Sequence, residues 1–235
     1  MWLKKIKPMF CYFTKGELAL WGSSAAVIII SFLAFDRTNF LTLIASLIGV
    51  TSLIFNAKGN PVGQILMIAF SMIYGVISFQ CAYYGEMITY LGMTGPMAVV
   101  ALISWIKNPY NGNKAEVKVN RLKTKEVIFM FLLTALVTFV FYYILTAFHT
   151  ANIVPSTISV TTSFLAIYMT FRRNAFYAIG YAANDIVLII LWILAAVSDQ
   201  SYLSVAACFV VFFVNDIYGF ISWSKMQKRQ ESAEI

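Results

Sequence analysis

Two asparagine–aspartate pairs, Asn184-Asp185 and Asn215-Asp216, stand inside long apolar runs. Polar groups held in hydrocarbon are costly, so each needs a partner or a task. A carboxamide both donates and accepts, which suits a ligand's hydroxyls or its own amide. A carboxyl accepts a hydroxyl, pairs with a cation, or takes up a proton. At helical spacing Tyr177, Tyr181 and Asn184 share one face, and Asn215, Tyr218 and Ser222 share another. Earlier in the chain Gln64, Ser71, Tyr74 and Ser78 do the same. Three converging faces of this kind would line a cavity for a neutral, hydroxyl-rich ligand, with rings to stack on a flat heterocycle. The competing account is that the amides only hydrogen-bond neighbouring helices together. Two Asn-Asp pairs at similar depth favour a ligand.

Other chemistries have less to stand on. The single histidine, His149, falls in a loop, and no Cys/His cluster has metal-ligand spacing. Cys11, Cys81 and Cys208 are odd in number, two of them inside apolar runs, and read as small buried side chains rather than a disulfide framework. No phosphate-binding glycine loop is present, so neither a cofactor nor direct ATP hydrolysis is expected. Catalytic residues are not expected either. No Lys or Arg lies deep in an apolar run, which argues against a path for an anionic phosphate.

The elements that must position these residues are membrane spans. Of 235 residues, 60% are hydrophobic and 11% charged, against about 45–50% and about 25% in soluble domains. A span needs about 20 mostly apolar residues. Eight stretches qualify, at 18–35, 40–55, 62–83, 87–106, 127–148, 153–171, 175–197 and 202–223, the second being the shortest. The first follows Lys4, Lys5 and Lys7 as a signal peptide would, yet no small-residue cleavage site follows it.

With the N-terminus inside, sixteen of the 17 Lys and Arg residues fall on the cytoplasmic side, and only Arg37 falls outside. This is the positive-inside pattern of an even number of spans with both termini cytoplasmic. It also makes the net charge of +7 a topology signal, with anionic lipid as a secondary attraction and no nucleic acid implied.

The expected architecture is all-α and integral to the membrane. It has an N-terminal segment and extra helix at 1–36, a three-helix bundle at 40–106 and a basic cytoplasmic loop at 107–126. A linker helix at 127–148, a second three-helix bundle at 153–223 and a cytoplasmic tail at 224–235 follow. The two bundles end alike, Ile103-Ser104-Trp105-Ile106-Lys107 and Ile221-Ser222-Trp223-Ser224-Lys225. One intervening span makes the repeats parallel, and such repeats place a site near the midplane between them. Trp21, Trp105 and Trp223 read as interface-belt residues. Gly95-Pro96 reads as a kink or hinge. Ser156, Thr157, Ser159, Thr161, Thr162 and Ser163 read as small packing residues.

Asn56-Ala57-Lys58-Gly59-Asn60, Tyr84-Gly85-Glu86, Pro96-Met97 and Trp105-Ile106-Lys107-Asn108 resemble the first half of PnuC transporters. Asn184, and Asn215-Asp216-Ile217-Tyr218-Gly219 with Trp223, resemble the second half. The resemblance covers roughly 40–225. It implies two bundles joined by a linker helix, as in a full-length SWEET protein, assembled as a homotrimer in the bacterial inner membrane. It implies facilitated diffusion of nicotinamide riboside by alternating access, with trapping by a separate cytoplasmic kinase. Asn184 and Asn215 would bond ribose hydroxyls or the amide, and Asp216 a hydroxyl or the cationic ring. Tyr74 and Tyr181 would line the path, with Gln64 and Tyr218 beside them. One departure is that the family often carries Trp just before the Asn184 position, where this chain has Phe176, Tyr177 and Tyr181. Relatives of the family carry thiamine, riboflavin or deoxynucleosides.

Three rival readings remain. Asp185 and Asp216 would titrate in a proton- or sodium-coupled carrier. A membrane-embedded enzyme would want a catalytic arrangement of His, Glu or Ser. A passive scaffold would not need paired midplane amides.

Overall fold

A computed structural model describes residues 12–80, 84–150 and 152–233. Eight helices in it are long and apolar enough to cross a membrane. They are α1 (Lys15–Phe35), α2 (Phe40–Ala57), α3 (Val62–Gln80), α4 (Tyr84–Lys107), α5 (Thr124–Ala147), α6 (Ile153–Phe171), α7 (Tyr177–Ala196) and α8 (Leu203–Ser232). In lipid a helix satisfies its own backbone, so each apolar run folds locally and the ends carry the punctuation. Thr14 caps α1 with a capping box. Its hydroxyl accepts from the Glu17 backbone N–H at 3.2 Å, and its own N–H donates to the Glu17 carboxylate at 2.6 Å. Asn39 caps α2 through the Thr42 N–H. The short second span extends to 18 residues, and α8 runs well past the expected span end at 223.

Packing arranges α2, α3 and α4 as one group and α6, α7 and α8 as another, with α5 against α6 and α1 against α2 and α8. The groups meet through α2 on α8 and α4 on α6. The first helix of each therefore touches the third helix of the other, as a two-fold axis along the helices requires. Close approach rather than hydrophobicity holds helices together in lipid. At Gly180 a Cβ would stand 2.9 Å from the Ala166 Cα, so α7 meets α6 almost backbone to backbone there.

The 107–126 loop, read from sequence only as polar, folds into a hairpin of β1 (Pro109–Tyr110) and β2 (Asn113–Val117). Asn111 and Gly112 both take positive φ, at 48° and 77°, the turn geometry that Asn-Gly favours. The strap that follows ties the helix ends together. Val117 N–H donates to Gly59 O at 3.0 Å, Asn120 N–H to Arg173 O at 2.9 Å, and Val119 N–H to the Gln230 side chain at 2.8 Å. Gly59 sits at φ 65° under Met226 and Val117, where a side chain has neither the conformation nor the room. Ion pairs join Lys58 to Glu17 at 3.1 Å, Arg121 to Glu231 at 2.6 Å, Arg172 to Glu126, and Arg229 to Glu116. All four lie at this hairpin end of the helices.

Two of the three belt tryptophans are not at the lipid interface. Trp105 is 1% and Trp223 0% exposed. The Trp105 indole N–H donates to Thr170 O on α6 at 2.9 Å, and that of Trp223 to Asn56 O on α2 at 2.7 Å. An indole N–H buried in the bundle needs such an acceptor. Trp21, 40% exposed and bonded to the Thr51 hydroxyl, does take a peripheral position. Cys208 is buried and free. Cys11 and Cys81 lie outside the described residues.

Candidate functional site

Halfway along the helices, between the two groups, lies a cavity of about 30 Å³. It has room for about one water. Leu53 of α2 and Met67 and Phe70 of α3 form its apolar wall. Tyr90 and Thr94 of α4, Ser163 of α6, and Tyr181, Asn184 and Asp185 of α7 form its polar wall. Phe209, Phe212 and Asp216 of α8 close it.

Asn184 is fixed from behind. Its Oδ1 lies 3.2 Å from the Ser159 hydroxyl, 2.9 Å from that of Thr162 and 3.0 Å from that of Ser163. One carbonyl oxygen offers two lone pairs, and Thr162 has backbone acceptors at Ile158 O and Ser159 O as well. The α6 hydroxyls thus turn the amide oxygen toward α6. The packing and ligand accounts of this asparagine are both met: it bonds across helices and it lines the cavity. Ser163, read from sequence as a packing residue, is part of the wall.

Tyr90 and Thr94 were not singled out by sequence, although Gly95-Pro96 marked their location. Residues Thr89–Thr94 form a π-helical turn, with Gly95 N–H bonded back to Tyr90 O. Pro96 has no N–H to continue an α-helical ladder, and π-turns within helices gather at functional sites.

The structure divides the sequence-selected residues. Asn184, Asp216 and Tyr181 meet at the cavity, joined by Asp185. Tyr74 sits one layer toward the end opposite the hairpin, 4.5 Å between ring centroids from Tyr90 and 5.9 Å from Phe209, its hydroxyl without a partner. Gln64 lies toward the hairpin, its side-chain N–H donating to Asn56 Oδ1 at 2.9 Å. Asn215 faces α1: its N–H groups donate to the Ser24 hydroxyl and to Val211 O, both at 2.9 Å. Tyr218, on the same face, donates to Glu17 at 3.1 Å. It lines a second cavity of about 270 Å³ at the hairpin end, with Lys58, Glu116, Lys225 and Arg229 among its neighbours.

Aromatic layers close the central cavity at both ends. Tyr74, Tyr90, Trp192 and Phe209 cover it on one side. Tyr177, Trp105 and Trp223 cover it on the hairpin side, with Tyr177 4.9 Å and Trp105 5.4 Å from the Trp223 ring. Among the described residues no Lys, Arg or His lines the cavity, and no three His, Cys, Asp or Glu residues gather as metal ligands.

Eight apolar helices, six of them in two related groups around a small cavity at mid-depth, define a multi-pass membrane protein of the carrier class. Residues 39–225 match the family described as nicotinamide mononucleotide transporter, and the chain belongs to that family. It is 26% identical over 235 residues to "Nicotinamide riboside transporter PnuC" of Neisseria mucosa, covering 97% of this chain and 87% of the relative. Among solved structures, "Crystal structure of the Vitamin B3 transporter PnuC" shares the fold. It has a TM-score of 0.81 and 22% identity, covering 93% of this chain and 94% of the other.

Proposed function

We propose that the chain carries nicotinamide riboside across a bacterial inner membrane by facilitated diffusion. Rocking of one helix group against the other would alternate access, and phosphorylation in the cytoplasm would trap the product. The observation that carries this reading is the mid-depth cavity, where an oriented amide, two carboxyls and aromatic rings meet between two aromatic layers. These groups suit a ribose, a carboxamide and a flat ring. The family's description speaks of the mononucleotide and the Neisseria relative's of the riboside. Here the cavity wall supplies no cation for a phosphate, which favours the riboside.

The cavity is smaller than any nucleoside, so loading requires the helix groups to spread. The aromatic layers then serve as alternating seals. Asn184, Asp216 and Tyr181 touch the substrate in this reading, while Asn215 holds α8 against α1. The basic residues of the hairpin end favour a cytoplasmic position for that end and, with the basic start of the chain, for both termini. Assembly as a homotrimer follows from the family resemblance, and native mass measurement of the purified protein checks it.

The test is calorimetry with nicotinamide riboside, thiamine, riboflavin and deoxynucleosides. Binding of nicotinamide riboside above the others, lost in Asn184→Ala, supports the reading. Tighter binding of another ligand reassigns the substrate, and no binding at all removes the vitamin assignment.

A further inference from the structure

We propose that the groove between α5, α6 and α7 at the hairpin end holds one anionic phospholipid. An acyl chain lies along the groove, and the phosphate meets Arg121, Lys123 and Lys125. The inference does not depend on which substrate the protein carries, only on the chain spanning a bilayer.

The groove has a volume of about 670 Å³. It forms because α5 packs along α6, while Gly180 and Ala183 leave the adjoining face of α7 without bulk. Val127, Met130 and Phe131 of α5, Leu165 and Met169 of α6 and Ile179 of α7 make its walls apolar. Phe131 and Ile179 are exposed, so the groove opens on the lipid face of the bundle. On α6 it runs from Met169 to Thr162, about 10 Å of helix. That lies within the roughly 15 Å of hydrocarbon that one leaflet supplies.

Charge is confined to the mouth, where Arg121, Asn174 and Gln227 line the groove. Arg121 donates to Glu231 from Nε and from one terminal nitrogen, which leaves its other terminal nitrogen to donate elsewhere. Lys123 and Lys125 flank this wall in sequence and are exposed. Among the described residues neither has an acidic partner. Glu126, the carboxylate of the same turn, is taken by Arg172. The mouth therefore sets three cations against the single carboxylate of Glu231. A second copy of the chain would not balance them. Glu17, Glu116, Glu126 and Glu231, the described carboxylates of this end, are each paired within their own chain. An anionic phospholipid brings both a chain for the apolar walls and a negative headgroup at the depth of the cations.

Native mass spectrometry of the purified full-length protein tests this, with phosphatidylglycerol or phosphatidylcholine of the same chains added in mild detergent. The expected result is one phosphatidylglycerol retained per subunit, at about tenfold preference over phosphatidylcholine. Arg121→Gln with Lys123→Gln should remove most of that preference. Glu231→Gln breaks the same ion pair but keeps the cations, and should not lower it. Ala183→Phe fills the groove and should reduce retention of both lipids. If that variant does not fold, the exposed Arg121 and Lys123 changes decide. Glycerol phosphate, a headgroup without chains, should not displace the lipid. Equal retention of the two lipids, a preference that survives Arg121→Gln with Lys123→Gln, or displacement by glycerol phosphate overturns the proposal. So does a changed oligomeric state in Ala183→Phe, which assigns the groove to a second subunit. Each of these outcomes leaves the transport reading to its own calorimetric test.

Discussion

Trp105 and Trp223 stand at equivalent positions of the two repeats, and their rings meet 5.4 Å apart at the hairpin end of the bundle. Each donates its indole N–H to the last turn of the opposite group's first helix, Trp105 to Thr170 O and Trp223 to Asn56 O. The two repeats thus cross-lock at one point. A carrier that opens toward this end must separate this pair or pivot about it.

Replacing either tryptophan by phenylalanine removes one hydrogen bond, at about 1 kcal/mol, and leaves a gap in the packing. Each variant should lose about 1–3 kcal/mol of stability, read as a lower thermal midpoint in detergent. Because the rings touch, the double variant should depart from additivity by about 0.5 kcal/mol or more. Additive losses would mean that the two halves are not coupled here.

Asn184→Ala removes an oriented amide and strands the α6 hydroxyls. Affinity should fall about tenfold to a hundredfold, the scale of about 1.5–3 kcal/mol for a lost polar contact to a buried group. Ser163→Ala, which leaves Ser159 and Thr162 in place, should cost far less. Calorimetry on the two variants separates these outcomes.

Asn215→Ala should act mainly through α1. Its amide bonds Ser24 there, so Ser24→Ala should reproduce part of its loss of thermal stability. If Asn215→Ala instead abolishes binding in a protein of unchanged stability, the amide reaches the substrate in another conformation of the carrier.

The Lys58–Glu17 pair joins the α2–α3 turn to α1, with the Lys58 ammonium also 4.9 Å from the Tyr12 ring centroid. Lys58→Met alone leaves the Glu17 carboxylate with only the Thr14 N–H and the Tyr218 hydroxyl as donors and should cost about 1–3 kcal/mol. Lys58→Met with Glu17→Gln should cost less than the single change, which thermal unfolding of both reads directly.

The eight spans were legible because a helix in lipid advertises itself by length and apolarity alone. What spacing does not report is the rotation of a helix in its bundle. Asn215 and Asp216 are turned about 100° from each other, and packing sends Asp216 to the cavity and Asn215 to α1. The I-S-W-x-K repeat was visible, yet Trp105 and Trp223 read as belt residues. A tryptophan at a helix end looks the same whether it meets lipid or a neighbouring helix. Asn111-Gly112 carries the hairpin signal inside a loop otherwise dominated by charge. Ser163 was hidden among α6 hydroxyls of ordinary packing type, and Tyr90 in an apolar run whose π-turn only Gly95-Pro96 announced.

The most direct measurement is uptake of labelled nicotinamide riboside into liposomes holding the purified protein, at equal pH on both sides. The account predicts saturable entry that stops at equal concentrations, without ATP or a sodium gradient, and that falls at least tenfold in Asn184→Ala. Entry no faster than in empty liposomes, or entry unaffected by Asn184→Ala, would contradict it.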